Sequence, residues 1–149
     1  MERNYVKDLK AGQDVILKGW VFEIRELAKL KFFVLRDMTG MIQCVVIDAK
    51  LFSKVSDLSL ESVVSITGKV KKANVKAEFA RKDVEVEVTE INLLNKAEKL
   101  PILVNEKEIT TEFSNRLDYR FLDFHKPKIQ AIFKIQSVIE NSFREFFYK

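Results

Sequence analysis

Cysteine, histidine, glycine and proline are all scarce. A single cysteine, Cys44, has no partner for an internal disulfide and cannot build a multi-cysteine metal site. A single histidine, His125, would have to anchor any Ser-His-Asp triad or histidine-rich metal site alone, and no fitting constellation surrounds it. The four glycines, Gly12, Gly19, Gly40 and Gly68, are too dispersed for a phosphate loop or a dinucleotide fingerprint. This disfavours nucleotide-binding enzymes of the common α/β types. No apolar run approaches the ~20 residues of a membrane span. Met1 to Lys10 alternates charged and apolar residues and lacks a signal-peptide core. A lone thiol fits a reducing compartment, so the expected location is cytoplasmic.

What remains is a chain of 149 residues and 17.4 kDa, 47% hydrophobic and 32% charged. That balance suits a soluble domain, or one domain plus a docking element. The net charge of +4 and isoelectric point near 9.1 permit a nucleic-acid partner without demanding one. Most of the basic excess falls within the first 97 residues.

Strand-like runs fill the first two thirds. Val15–Arg25 is rich in β-branched and aromatic residues and is interrupted by Gly19, which predicts a bend or bulge. Lys31–Arg36 follows, then a turn at Asp37-Met38-Thr39-Gly40, then Met41–Ile47. In Asp48–Val55, Leu51, Phe52 and Val55 share one face of a short helix. Ser62–Lys71 and Val84–Ile91 complete the set, the latter alternating Val84, Val86 and Val88 with Glu85, Glu87 and Thr89. Three strands, a short helix and two strands is the order of an OB-fold barrel, although a small open sheet of another topology gives a similar pattern.

Beyond Leu100-Pro101 the chain reads as a polar, extended connector to residue 126. Pro127 suits a first helical position, and Ile129, Ile132, Phe133, Ile135, Ile139, Phe143 and Phe146 then recur at helical spacing. This helix carries too much apolar surface to stand alone in water and calls for a partner surface. The expected organisation is a barrel at 1–97, a hinge at 98–126 and a C-terminal helix at 127–149.

OB barrels commonly bind single strands through aromatics on an exposed sheet face with cations around them. If Phe33 lies in the core, strand alternation turns Phe32 outward, free to stack a base. Arg25 and Arg36 end the first two strands and suit phosphates or base edges. Gln43 faces away from Ile42 and Cys44, and its amide suits a base edge. Glu85 and Glu87 face outward, and a carboxylate there suits base reading because it repels phosphate. Lys69, Lys71 and Lys72 form a basic cluster suited to phosphates. Each has an ordinary counterpart: Phe32 in the core, the arginines and glutamates as solvated surface, the lysines as a solubility patch. Cys44 reads as a small buried hydrophobe, and His125 as a surface or interface residue.

Gly19-Trp20-Val21-Phe22-Glu23-Ile24-Arg25, Lys31-Phe32-Phe33-Val34-Leu35-Arg36-Asp37 and Gly40-Met41-Ile42-Gln43 together resemble the anticodon-binding OB domain of class IIb aminoacyl-tRNA synthetases. The archaeal and eukaryotic type of aspartyl-tRNA synthetase matches best, and asparaginyl relatives fit the OB part as well. The resemblance continues through Leu60–Val64, Gly68–Val70, Val84–Val86 and Leu100–Ile102. It extends to Arg116-Leu117-Asp118-Tyr119-Arg120-Phe121-Leu122-Asp123, Gln130–Ile135 and Phe143–Glu145.

The resemblance implies that Phe32 stacks on the middle uridine of the anticodon and that Arg25, Gln43 and Glu85 hydrogen-bond to the anticodon. The implied partner is tRNA(Asp) or tRNA(Asn). Nothing matches motifs 2 and 3 of the family, which hold ATP and the aminoacyl-adenylate. The chain alone is therefore expected to bind without catalysing, with no cofactor or metal; ATP and Mg belong to the catalytic domain. The helix at 127–148 is a candidate contact for a second copy or a synthetase. Two departures stand out: His125 replaces an arginine usual in the family, and the Glu26–Leu30 loop lacks the usual glycines. A general single-strand binder, or a free-standing paralogue that contacts a synthetase, is the alternative function.

Overall fold

The computed structural model describes residues 2–27, 30–106 and 108–148. Ala28 and Lys29, at the centre of the glycine-poor loop, and Lys149 lie outside the described residues. The chain divides into two compact units, Met1–Leu100 and Pro101–Lys149.

The first unit is a closed barrel of five strands: β1 (Asp14–Leu27), β2 (Leu30–Arg36), β3 (Met41–Val46), β4 (Val63–Lys72) and β5 (Val84–Asn95). Neighbours around the barrel run β1-β2-β3-β5-β4, with β3 and β5 parallel and the other pairs antiparallel. A short helix, α1 (Phe52–Ser56), preceded by a 3-10 turn at Ala49–Leu51, joins β3 to β4. Asp48 caps the turn through the backbone N–H of Lys50. This is the OB order expected from the sequence, and each strand has a paired neighbour on both sides.

Alternation explains the core. Val15, Leu17 and Val21 of β1, Phe33 and Leu35 of β2, and Ile42, Cys44 and Val46 of β3 point inward. They meet Val64, Ile66 and Val70 of β4 and Val84, Val86 and Val88 of β5. Burying each large apolar side chain stabilises the barrel by about 1.5–3 kcal/mol before entropy is counted. Cys44 is fully buried, and burial pushes its thiol far above the ordinary range, so it packs as a hydrophobe.

Gly19 plays a different part from the one its position suggested. The irregularity in β1 lies two residues later, between Val21 and Glu23. Gly19 is required by proximity: a Cβ there would sit 2.2 Å from the backbone oxygen of Arg36. The bulge itself resets the strand's faces. Val21 pairs with Leu35, Phe22 is left over, and Glu23 pairs with Val34. Without the extra residue, Glu23 and Arg25 would follow Val21 into the core. With it, Ile24 turns inward and Arg25 turns outward beside Phe32.

The second unit has two short helices, α2 (Phe113–Asp118) and α3 (Arg120–Asp123), in the stretch read as an extended connector, followed by α4 (Pro127–Phe147). Asp123, fully buried, explains them. It accepts hydrogen bonds from Arg116 Nε at 2.9 Å and Nη2 at 3.2 Å, and from Arg120 Nη1 at 2.9 Å. Buried Lys126 lies 3.5 Å from Asp123 and 3.0 Å from Glu106. Arg120 also stacks over Phe124 and Phe133, whose rings meet edge-on at 4.9 Å. These polar residues look solvated in sequence, but spacings of three, four and seven gather their charges on one side of the helical turns. No helix among the described residues is long and apolar enough to cross a membrane.

Candidate nucleic-acid interface

Arg25, Phe32 and Gln43, from three adjacent strands, line one groove of about 410 Å³ together with Leu27, Asn74 and Lys76. Their convergence follows from register. Arg25 pairs with Phe32 across β1 and β2, and Phe32 with Val45 across β2 and β3. Gln43 stands one outward step from Val45 along β3. Phe33, inward at 1% exposure, leaves Phe32 outward, half-buried and lining the groove.

The polar groups of the face are pre-arranged. Arg25 is held by Glu23 at 2.8 Å, and its side chain stays half exposed. Gln43 Nε2 donates to Glu85 Oε2 at 2.8 Å, which brings Glu85 of β5 to the groove residues. The four residues that the resemblance assigns to the anticodon therefore come together on one side of the barrel.

The lysines fall elsewhere. Lys69, Lys71 and Lys72 are exposed on β4, and none of them lines this groove. Lys69 is registered opposite Glu87, and Lys71 lies 3.4 Å from it. Lys72 borders a neighbouring groove with Lys10, Asn74 and Arg81. Among the described residues Lys69 and Lys72 make no ion pair, so their charges are available to an anionic partner.

Arg36 departs from its expected role. It is buried at 5% exposure and donates to Glu61 at 2.8 Å, stacked against Trp20 and Phe22. Burial pulls its guanidinium down from its usual range while Glu61 opposes that pull. It braces the outer face of β1 and β2 and does not meet solvent as a phosphate ligand would.

Sequence reading passed over Asn74 and Lys76. Both lie in the segment 73–83 between β4 and β5, which folds over the outer face. Phe79 packs edge-on to Phe22 at 6.0 Å, and Arg81 N–H donates to the Met41 carbonyl at 2.9 Å. The Arg81 guanidinium donates to the carbonyls of Val6 and Leu9. The signal was present: Val75 and Ala77 are buried, alternating with exposed Asn74, Lys76 and Glu78. Lys76 adds a second cation to the groove beside Arg25.

An aromatic face, two cations, an amide and a carboxylate suit recognition of an unpaired base. Among the described residues, no group of three or more His, Cys, Asp or Glu side chains is placed to hold a metal ion.

Residues 15–94 match the tRNA anti-codon family model, described as an OB-fold nucleic acid binding domain. An Aspartate--tRNA(Asp/Asn) ligase of Methanococcus vannielii is 48% identical over 141 residues, which cover 91% of this chain and 31% of the relative. The corresponding ligase of Methanocaldococcus jannaschii is 39% identical, covering 97% of this chain and 34% of the relative. Among solved structures, asparaginyl-tRNA synthetase from Pyrococcus horikoshii, complexed with asparaginyl-adenylate, superposes with a TM-score of 0.83 at 29% identity. That match covers 98% of this chain and 34% of the synthetase. Aspartyl tRNA synthetase from Entamoeba histolytica gives 0.82 at 26% identity, covering 98% of this chain and 37% of that one. The chain thus spans about a third of the length of the curated relatives it matches.

Proposed function

The chain belongs to the family of OB-fold nucleic acid binding domains that the tRNA anti-codon model describes, and from that premise we propose that it recognises the anticodon loop of tRNA(Asp) or tRNA(Asn). The observation that carries the reading is the convergence of Arg25, Phe32, Gln43 and Glu85 on one outer face of the barrel. A splayed uridine at the middle of the anticodon stacks on Phe32. Gln43 and Glu85, joined by their hydrogen bond, meet the edge of that base or the neighbouring backbone. Arg25 and Lys76 meet the backbone or a flanking base. Lys69 and Lys72, exposed outside the groove, supply charge that attracts phosphates and makes binding salt-dependent, with Lys71 beside them paired to Glu87.

On this reading the barrel supplies the binding step, and the chain spans about a third of the length of the ligases it resembles. The barrel serves as the recognition module, residues 98–126 as its hinge, and α4 as the docking element. Ile132, Phe143 and Phe146 of α4 are exposed and apolar, and suit contact with a second copy or with the rest of a synthetase.

Competition tests this reading. A labelled tRNA(Asp) anticodon stem-loop, bound to the chain, should resist displacement by an unrelated hairpin or single strand of equal length. Equal displacement by both would make the chain a general single-strand binder and remove the anticodon assignment.

A further inference from the structure

A second groove lies at the end of the barrel, where β4 runs out and β5 begins. It is larger than the one beside Phe32, about 690 Å³ against 410 Å³. Its walls are tied together. Gly12 N–H donates to the Val70 carbonyl and Val70 N–H to that of Gln13, which seats the turn after Lys10 beside β4. From the other side, the Arg81 guanidinium donates to the carbonyls of Val6 and Leu9, both at 3.0 Å, and pairs with Asp83 at 2.6 Å. Arg81 and Asp83 thus offset each other's charge. Lys10 and Lys72 keep theirs: both are exposed, and neither amine has a hydrogen bond or ion pair among the described residues. Two uncompensated cations beside apolar walls such as Leu9 and Val84 concentrate positive potential.

This groove continues the one beside Phe32, because Asn74 lines both. Strand order gives the distance. Gln43 on β3 and Lys72 on β4 have β5 alone between them, with Gln43 bonded to Glu85 and Lys72 registered against Val84. Two strand spacings are about 10 Å. An OB fold covers about 4–16 nucleotides of a single strand, whereas the first groove is lined by a single aromatic ring. A strand with one base on Phe32 has to continue over a neighbouring surface. Towards β4 that surface is cationic at Lys72, whereas Lys69 and Lys71 are set against Glu87.

We propose that the groove of Lys10, Lys72 and Asn74 is a second subsite, which holds the phosphodiester backbone of the nucleotides next to the one stacked on Phe32. The inference rests on the reading that Phe32 stacks a base, and extends it by naming the path of the strand. The two amines meet phosphate oxygens, and the Asn74 amide meets the backbone where it crosses from one groove to the other. Such contacts hold the strand and read no sequence.

The test measures the Kd of a tRNA(Asp) anticodon stem-loop over a series of salt concentrations, on the wild-type chain and on two double variants of equal charge. Lys10→Gln with Lys72→Gln strips the subsite of its free cations. Lys18→Gln with Lys50→Gln removes two exposed lysines that line neither groove. The slope of log Kd against log salt should fall by about 1.4 in the first, twice the single-strand value of about 0.7 per phosphate. It should keep its wild-type value in the second, and also in Lys10→Arg with Lys72→Arg. All these proteins should unfold at the wild-type temperature. Equal slopes in the two glutamine variants, lowered or not, would reduce these lysines to a share of the net charge and overturn the inference. Wild-type affinity in Phe32→Ala would overturn it too, since no stacked base would then anchor the strand. Failure of the anticodon reading shows differently, as a wild type that binds loops with the middle uridine intact or replaced by a purine alike.

Discussion

Asp123→Ala is expected to strip hydrogen-exchange protection from the amides of residues 122–126 while leaving the barrel strands protected. In the wild type these amides donate to carbonyls one turn back, as His125 does to Leu122 and Lys126 to Asp123. Two helices of six and four residues are too short to hold themselves together in water. Their order depends on a carboxylate with no solvent exposure that binds Arg116 and Arg120 and lies near Lys126. Removing one member of such a buried network typically costs about 3–5 kcal/mol, because the remaining charges lose their compensation. Among the described residues, Lys126 would keep Glu106 as its one acidic partner.

The same network predicts an acid response. Burial raises the Asp123 carboxyl, but hydrogen bonds from Arg116 and the charges of Arg116 and Lys126 outweigh it and hold the carboxyl below its ordinary range. Glu106 is likewise lowered overall, with burial opposed by Thr111 and Lys126. A pKa lower in the folded state than in the unfolded state means that the unfolded chain binds the proton first. The contribution is therefore full above about pH 4, where an unfolded carboxyl is ionised. It is lost as the pH falls through the depressed folded values. Protection of residues 122–126 should hold from neutrality down to about pH 4 and decline below it. Persistent protection in Asp123→Ala at neutral pH would show that packing of Phe124 and Phe133, and not the ion network, orders this segment.

Phe32→Ala is expected to weaken binding of the anticodon stem-loop by about 1–3 kcal/mol, the range for a single stacked base. That is roughly a five- to 150-fold rise in Kd. The fold should survive, because Phe32 lies outside the core cluster and its inward neighbour Phe33 is retained. Thermal unfolding of the variant checks this independently. Phe32→Tyr or Phe32→Trp should keep most of the affinity, since stacking needs the ring face. Unchanged binding by Phe32→Ala would move the nucleic acid to another surface, the cationic groove of Lys10 and Lys72 being the next to examine.

Much of the barrel was legible because its strands announce themselves. The alternation of Val84, Val86 and Val88 with Glu85 and Glu87 fixed both the strand and its outward face, and the structure keeps it. Phe32 and Gln43 were placed by the same parity. Arg25 needed more: simple alternation from Val21 turns it inward, and only the bulge at Phe22 restores it. A bulge depends on the partner strand, so one strand's period does not reveal it. Arg36 misled because an arginine at a strand end looks solvated, whereas its partner Glu61 lies 25 residues away. The helices around Asp123 were hidden for a similar reason. Their apolar pattern is weak, and a charge network replaces it. Lys76 and Asn74 went unread although Val75 and Ala77 alternate with them, because a loop is not where a period is sought.

The most direct test of the central claim is binding of the full chain to a tRNA(Asp) anticodon stem-loop, with the middle uridine intact or replaced by a purine, at two salt concentrations. Phosphate contacts weaken with salt alike for both loops, whereas base reading does not depend on counterions in that way. The account predicts lower affinity for both loops at high salt and a preference for the intact loop that is the same at both concentrations. Equal affinity for the two loops at either salt would contradict it.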